Sequence, residues 1–123
     1  MRKGTIMVAL VALLVAIFAT AAYAASIDCS GGTCNGTGEN DQLFESSGND
    51  QMYGFRGEDI LFANITGGDR DKLYGGRGND ALRADDGDGD DLVEGGRGRN
   101  DECTVDPGDE VHSCDGNVTV ITN

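Results

Sequence analysis

The sequence predicts an all-β protein, a right-handed parallel β-roll in which two nine-residue repeats make one turn. Glycine and aspartate recur at fixed spacing through the middle of the chain, and a single bulky apolar residue follows most of these aspartates by two positions. The 99 residues after position 24 include only 28 apolar ones, too few for a broad core. Repeats this small bury their apolar faces only by stacking on one another.

The first 24 residues have the pattern of a secretory signal peptide. Met1-Arg2-Lys3 is basic, residues 4–19 are almost entirely apolar, and the segment ends with the small residues Ala22 and Ala24. We expect cleavage before Ala25, with a cut after Ala22 as the next choice. An uncleaved anchor helix is the alternative, although the apolar run is short for a membrane span. The protein is therefore expected to be secreted, with no membrane span after cleavage.

The remaining chain is strongly acidic and rich in glycine. The whole sequence has 22 acidic and 9 basic residues, and after loss of the first 24 residues the formal charge is -15 with 19 glycines. Such a composition ordinarily indicates disorder unless another component neutralises the acids. The negative charge also argues against nucleic-acid binding.

The repeat is clearest at residues 75–83, Gly-Gly-Arg-Gly-Asn-Asp-Ala-Leu-Arg, which match the pattern G-G-x-G-x-D-x-U-x, where U is a bulky apolar residue. The copies at 46–53 and 54–62 align with it without gaps. The copies at 36–44 and 95–104 fit with one extra residue in the loop, and the copy at 67–74 follows an insertion. The copies at 88–93 and 105–111 match the pattern less well. Each unit predicts a six-residue turn and a three-residue strand whose U side chain points inward. The predicted inward column is Leu43, Met52, Leu61, Leu73, Leu82, Leu92, Cys103 and Val111.

The sixth-place aspartate and the glycines suit a hard cation. Glycine permits positive φ and lets the backbone approach a ligand, while aspartate adds a carboxylate oxygen beside backbone carbonyls. Calcium accepts six to eight such oxygens, so several calcium ions are expected. Same-edge loops should recur about eighteen residues apart, since two nines make one turn. The candidate ligands are Asp41, Asp59, Asp80 and Asp101 on one edge, Asp50, Asp71 and Asp90 on the other, with Asn79, Gly38, Gly48, Gly57, Gly76, Gly78, Gly96 and Gly98.

With this register, about residues 35–112 resemble the RTX, or haemolysin-type, calcium-binding parallel β-roll family. The resemblance implies a chain that is unfolded without calcium and rigid with it. The C-terminal part, with Cys103 and Cys114, is similar to the worn final turn of small secreted bacterial members. We expect a signal peptide at 1–24, an N-terminal cap at 25–34, the roll at 35–112 and a C-terminal cap at 113–123.

Two features depart from the family pattern. RTX toxins and proteases typically carry a C-terminal export signal and a large effector domain, whereas this chain has an N-terminal signal and little room for an effector, so those activities are not carried over. In the loops, Glu45-Ser46 replaces the glycine pair, and Asp69 stands where a glycine is expected.

The four cysteines, Cys29, Cys34, Cys103 and Cys114, predict two disulfides in an exported protein. Three connectivities are possible. Loop closure favours the two local pairs, Cys29 with Cys34 and Cys103 with Cys114. A four-thiolate zinc site is the alternative, but the spacing within each pair does not match a zinc knuckle.

An enzyme is not expected. His112 is the only histidine, its neighbours Asp109 and Ser113 are too close in sequence for a triad, and no nucleophile elbow is present. The chain has enough Asp and Glu residues to supply the carboxylate pair of a glycosidase, but a narrow roll has no cleft for a sugar chain. Residues 86–90 are similar to the start of an EF-hand loop, but the glycine and the final glutamate of that loop are missing, so an EF-hand is rejected.

Two outward rows could contact a partner. Phe44 should stack on Phe62 and Tyr53 on Tyr74, roughly 5 Å apart. The third-place arginines Arg56, Arg77 and Arg97 should form a ladder. The competing interpretation is local: the N-terminal segment covers the rings and the arginines offset nearby aspartates. The sequence therefore predicts calcium binding coupled to folding, and the alternative is an extracellular module that binds a glycan or protein, with calcium only structural.

Overall fold

The computed structural model describes residues 25–65 and 67–122 as two parallel β-sheets wound into a solenoid. The strands are β1 (Ala25–Asp28), β2 (Gly32–Asn35), β3 (Asp41–Phe44), β4 (Asp50–Arg56), β5 (Ile60–Phe62), β6 (Lys72–Arg77), β7 (Ala81–Ala84), β8 (Leu92–Arg97), β9 (Glu102–Val105), β10 (Glu110–His112) and β11 (Asn117–Val120). The predicted signal peptide at 1–24 lies outside the described residues. Across the part of the chain that is described, no helix is long and apolar enough to cross a membrane.

Successive strands alternate between the two sheets. One sheet has the order β1-β3-β5-β7-β9-β11 and the other β2-β4-β6-β8-β10, and all neighbours run parallel. Each pair of strands therefore completes one turn, which gives about five turns. The predicted parallel β-roll with two repeats per turn is confirmed. The sheets also extend into both segments predicted as caps, because β1, β2 and β11 pair with the turns beside them.

One main row of inward side chains from each sheet forms most of the core. The predicted members Leu43, Met52, Leu61, Leu73, Leu82 and Cys103 are all buried, and Val111 packs against them. A second inward row lies two residues further along, at Ala63, Ala84 and Val105. Full burial of one aliphatic side chain contributes about 1.5–3 kcal/mol, so a core this narrow needs support from the loops.

The predicted inward position of Leu92 is wrong. Leu73 pairs in register with Val93, which is fully buried, while Leu92 pairs with Lys72 and is partly exposed. The loop before β8 is one residue longer than the repeat pattern assigned. A shift of one residue turns every side chain of a strand to the opposite face, so Val93 takes the core position.

Both predicted disulfides are confirmed. Cys29 is bonded to Cys34 with a Cα–Cα distance of 5.4 Å, and Cys103 to Cys114 with 6.1 Å. Each bond lies near one end of the solenoid. Cys29 follows β1 and is joined to β2, while Cys114 follows β10 and is joined to β9. With all four sulfurs paired, a four-thiolate zinc site is ruled out in this structure.

The predicted outward rows are present. Phe44 stacks on Phe62 and Tyr53 on Tyr74, each with ring centroids 4.8 Å apart. Phe55 joins the second stack with its centroid 6.0 Å from that of Tyr53. The N-terminal segment extends each sheet by one strand, since β1 pairs with β3 and β2 pairs with β4.

The arginine ladder is confirmed in position. Arg56, Arg77 and Arg97 lie in register on β4, β6 and β8, and all three side chains are exposed. Within residues 25–65 and 67–122, none of the three forms a salt bridge with a carboxylate. The expectation that they offset neighbouring aspartates is therefore not met in this structure.

Candidate metal sites

Each long edge of the solenoid carries one column of aspartates, supplied by the loops between the sheets. The first edge has Asp41, Asp59, Asp80 and Asp101, and the second edge has Asp50, Asp71, Asp91 and Asp109. Apart from Asp109, these side chains are buried, with exposures of 0–2%. The repeat therefore places ionisable groups inside the protein, where they need partners.

One oxygen of each carboxylate connects consecutive turns. On the first edge, the Asp41 N–H donates to Asp59 Oδ1 at 2.8 Å, and Asp59 donates to Asp80 in the same way at 2.8 Å. Asp80 then donates to Asp101 Oδ1 at 2.9 Å. The second edge repeats the pattern between its four members at 2.7, 2.7 and 3.1 Å. The Oδ1 atoms are thus fully used within the protein.

The second oxygen of five aspartates has no partner. The Oδ2 atoms of Asp59, Asp71, Asp80, Asp91 and Asp101 are buried without a hydrogen bond. A buried carboxylate oxygen left in this state is strongly unfavourable, and native proteins supply such groups with a donor or a cation. These five oxygens are therefore the best candidates for metal ligands.

The first aspartate on each edge is different. The Thr37 N–H and hydroxyl donate to Asp41 Oδ2 at 2.6 and 2.9 Å. The Ser46 N–H and hydroxyl donate to Asp50 Oδ2 at 2.8 and 3.0 Å. Hydroxyl residues at the second place of the loop, where the pattern has glycine, thus satisfy the carboxylates of the N-terminal turn. Both aspartates are buried as expected, but their oxygens already have donors.

Glycine at the first place of the loop makes room beside the unpartnered oxygens of the first edge. A Cβ added at Gly75 would lie 2.5 Å from Asp80 Oδ2 and 2.6 Å from the carbonyl oxygen of Gly95. Gly54 has the same relation to Asp59 and to the carbonyl of Gly75. A carboxylate oxygen and a carbonyl oxygen of the next turn therefore face one small space, which fits an oxygen-ligated cation such as calcium. The predicted site residues did not name these first-place glycines.

Most of the predicted ligand-site glycines lie where the backbone requires them. Positive φ occurs at Gly48 (96°), Gly57 (118°), Gly76 (104°), Gly78 (129°) and Gly96 (101°). Gly98 stacks on the carbonyl of Gly78 and lies beside the Asp101 carboxylate. Gly38 is an exception, because a Cβ there would meet no atom within 4 Å. Gly57 is the fourth residue of its loop, and the backbone of Glu39, not that of Gly38, lies against it in the preceding turn.

The predicted sixth-place residue Asp90 is corrected to Asp91. Asp90 is exposed and forms a salt bridge with Arg70 at 3.6 Å, whereas Asp91 is 2% exposed and belongs to the column. This is the same one-residue shift that brings Val93 into the core. Asp109, which closes the second column, was also missed as a member because its repeat departs most from the pattern.

Asn79 connects turns through its side chain. Its Oδ1 accepts a hydrogen bond from the Arg99 N–H at 3.3 Å. Asn40 and Asn49 do the same for Glu58 and Arg70, at 2.9 and 2.8 Å. These three fifth-place asparagines therefore each accept a backbone N–H of the next turn on the exposed side of the loops.

Burial raises the pKa of five of the eight column carboxyls. It raises the pKa of Asp59 to about 7 and that of Asp80 to about 6, with the negative charges of neighbouring column members adding to the effect. On the second edge, burial raises the pKa of Asp71 to about 8 and that of Asp91 to about 7. Ionisation of these carboxyls thus costs more free energy in the folded protein than in water, and a bound cation would oppose this effect.

The only histidine, unlike most of the column aspartates, has an exposed side chain. His112 is exposed, and its Nε2 lies 2.7 Å from a carboxylate oxygen of the exposed Glu110. Ser113 follows it with φ of 52° and an exposed side chain.

The parallel solenoid with aspartate columns on its edges defines a class of repeat proteins that place oxygen ligands between stacked turns. A family model described as the RTX calcium-binding nonapeptide repeat (4 copies) matches residues 35–65 and 65–101. The chain belongs to this family, whose repeat is a structural calcium-binding module. No curated protein and no solved structure matches the chain.

Proposed function

We propose that the protein binds several calcium ions along its two edges and that this binding drives folding of the exported chain. The proposal rests on one observation: five buried aspartates have an Oδ2 atom without a hydrogen-bond partner. Family membership supports calcium as the cation. The residues proposed to hold the ions are Asp59, Asp80 and Asp101 on the first edge and Asp71 and Asp91 on the second, with carbonyl oxygens such as those of Gly75 and Gly95.

Calcium would supply positive charge and a set of long, adaptable bonds to oxygen. The chain contributes carboxylates from successive turns, and their mutual repulsion opposes folding when no cation is bound. Mass action stabilises the folded state by about 2.7 kcal/mol per site when the ion is at 100 times its Kd. Several sites of this strength would offset the repulsion among the buried carboxylates, so folding is coupled to binding.

Circular dichroism of the chain beginning at Ala25 tests this function. We expect a β-sheet spectrum in calcium that is lost on addition of chelator and restored by excess calcium. Magnesium is the control ion, because its smaller shell and slow dehydration make it a poor match for protein-only oxygen sites. A spectrum that is the same in calcium and in chelator would contradict the proposal.

Export is the second part of the proposal, and the disulfides support it because they fit an oxidising compartment. Protein recovered from the culture medium of the producing cell is expected to begin at Ala25 and to contain no free thiol. N-terminal sequencing and thiol-specific alkylation followed by mass spectrometry measure both. An intact N-terminus starting at Met1 in the medium would contradict the expected processing.

A second candidate function is an extracellular module that binds a glycan. The observation that favours it is Phe55, an exposed aromatic residue held at φ of 75° beside Tyr53, at a loop position where Gly76 and Gly96 occur in the next turns. A non-glycine residue costs about 1–3 kcal/mol in that conformation. A pull-down on cell-wall polysaccharide tests the outward rings. Phe44→Ala plus Phe62→Ala and, separately, Phe55→Gly should reduce retention, and retention equal to wild type by both would exclude this function.

A further inference from the structure

The first turn contains a space that is built like the regular ion sites of the first edge. A Cβ added at Gly36 would lie 2.9 Å from Asp41 Oδ2 and 2.9 Å from the carbonyl oxygen of Gly54. Gly54 and Gly75 have the same relation to the aspartate of their own loop and to a carbonyl oxygen of the next turn. Asp41 is also as deeply buried as Asp59, since both are 1% exposed. The oxygen atoms that a regular site offers are therefore present beside Asp41.

Hydrogen bonds from within the first turn already occupy this carboxylate. The Thr37 N–H and hydroxyl donate to Asp41 Oδ2 at 2.6 and 2.9 Å, and the Ala25 N–H donates to Asp41 Oδ1 at 3.3 Å. These donors supply the partners that a buried carboxylate needs. A calcium ion beside Asp41 would therefore have to compete with both donors of Thr37.

Backbone conformation separates the loops with an unpartnered Oδ2 from the other loops. Each of the five aspartates whose Oδ2 lacks a partner has a residue with positive φ three to five positions before it. These residues are Phe55 (75°), Gly68 (89°), Gly76 (104°), Gly87 (102°) and Gly96 (101°). At the same distance before Asp41, Asp50 and Asp109, no residue has positive φ. In all three of these loops a backbone N–H donates to Oδ2, from Thr37, Ser46 and Asp106.

Phe55 shows that the conformation, and not glycine itself, marks the loops with a free oxygen. It lies at the second place of its loop, as Thr37 does in the preceding loop of the same edge, and it has positive φ without being glycine. Asp59 Oδ2 in that loop has no partner. Positive φ is least accessible to β-branched residues, so threonine favours the other conformation and adds a hydroxyl donor.

We propose that Thr37 excludes calcium from the first turn and that glycine at this position would open a further calcium site beside Asp41. Glycine lacks the hydroxyl and permits the positive φ of the loops with an unpartnered oxygen. The inference concerns the first edge only, because the first place of the Asp50 loop is Glu45 and not glycine. It rests on the proposed calcium binding for the choice of ion, but it depends on a residue that holds none of the ions.

Calcium titration calorimetry of the disulfide-bonded chain from Ala25 tests the inference. Thr37→Gly should bind about one calcium equivalent more than wild type, because the freed Oδ2 faces the space beside Gly36. A merely structural role of Thr37 would give fewer equivalents and not an additional one. Thr37→Ser keeps the hydroxyl and should match wild type. Ser47→Gly, at an exposed position of the neighbouring loop, controls for the added backbone freedom and should also match. A folded Thr37→Gly variant that binds the wild-type number of ions would overturn the inference.

The converse substitution decides the question if Thr37→Gly fails to fold. Phe55→Thr places a β-branched residue at the second place of the next loop, where its hydroxyl can donate to Asp59 Oδ2 once the positive φ is lost. This variant should bind about one calcium equivalent fewer than wild type, whereas Phe55→Gly should keep the full number. If Phe55→Thr then binds as many ions as wild type, the inference is overturned.

Crystals of the wild-type protein grown with terbium locate the ions without any substitution. Anomalous peaks are expected beside Asp59 and Asp80, and none beside Asp41. A peak within bonding distance of Asp41 would overturn the inference and leave the proposed function intact. If neither calcium nor terbium binds anywhere, the proposed function is wrong and this inference fails with it.

Discussion

Replacement of Asp80 by asparagine should have opposite effects on stability with and without calcium. Asp80 is 2% exposed, its Oδ1 accepts the Asp59 N–H at 2.8 Å, and its Oδ2 is buried without a partner. Asparagine has nearly the same shape and keeps an acceptor for the Asp59 N–H. The substitution therefore removes mainly the negative charge.

The magnitude follows from the raised pKa. Burial raises the pKa of Asp80 from 3.8 to about 6 in the folded protein. A folded-state pKa above the unfolded value means that the full stabilising effect of the proton is present below 3.8 and is lost as pH rises through about 6. At pH 8 the ionised side chain thus destabilises the calcium-free fold by about 3 kcal/mol, and asparagine should recover much of this. In calcium, the variant should instead lose about one site, or about 2.7 kcal/mol at 100 times the Kd.

Urea unfolding followed by circular dichroism at pH 8 measures both effects. A stabilising osmolyte added to all samples keeps enough folded protein in chelator for a transition to be seen. Asp115→Asn, at an exposed position, controls for the change in net charge. Equal destabilisation of Asp80→Asn in chelator and in calcium would refute the reasoning, because Asp80 would then act only as a hydrogen-bond partner.

Three further predictions concern the loops, the pH and the core. Gly75→Ala should abolish at least one calcium equivalent in calorimetry, because its Cβ would fill the space beside a column carboxylate, whereas Gly38→Ala, in open space, should bind like wild type. The calcium-free chain should gain β-sheet circular dichroism as pH falls from 8 to 5, since the folded-state pKa values of buried carboxyls such as Asp71, at about 8, lie above their unfolded values; a signal that falls over this range would contradict this. Val93→Ala should lower the free energy of unfolding in calcium by about 2 kcal/mol, and Leu92→Ala by less than about 1 kcal/mol; the reverse order would contradict the observed register.

The fold could be predicted because the repeat fixes two features at once. Leu82 and Asp80 occur at set distances within residues 75–83, so the same pattern that places the core also places the column. The error at Leu92 and Asp90 has a physical origin. Residues 85–91 contain five aspartates, and the sequence does not indicate which one is the sixth-place residue. Pairing of β8 with β6 decides the register in the folded protein.

The features that escaped prediction are side-chain contacts of residues that depart from the repeat pattern. Thr37 appears in sequence only as a missing glycine, yet in the structure it donates two hydrogen bonds to Asp41. Asp69 likewise reads as a defect of its repeat, and only stacking of the loops brings it to Asp86 and Asp88. A pattern that records only the expected residue type counts both as losses, because it contains neither the hydrogen bond within the loop of Thr37 nor the contact of Asp69 with the next turn.

The hydrogen bonds of the aspartate columns all point in one direction along the chain. Each N–H donates to the carboxylate of the following turn, so Asp41 depends on Asp59, Asp59 on Asp80, and Asp80 on Asp101. The N–H at the sixth place of a turn therefore lacks its acceptor until the following turn is in place. The last member of the first column lies two residues from the disulfide at Cys103. Truncation before Asp101 would thus leave the Asp80 N–H without its acceptor, although every other residue of the column was present.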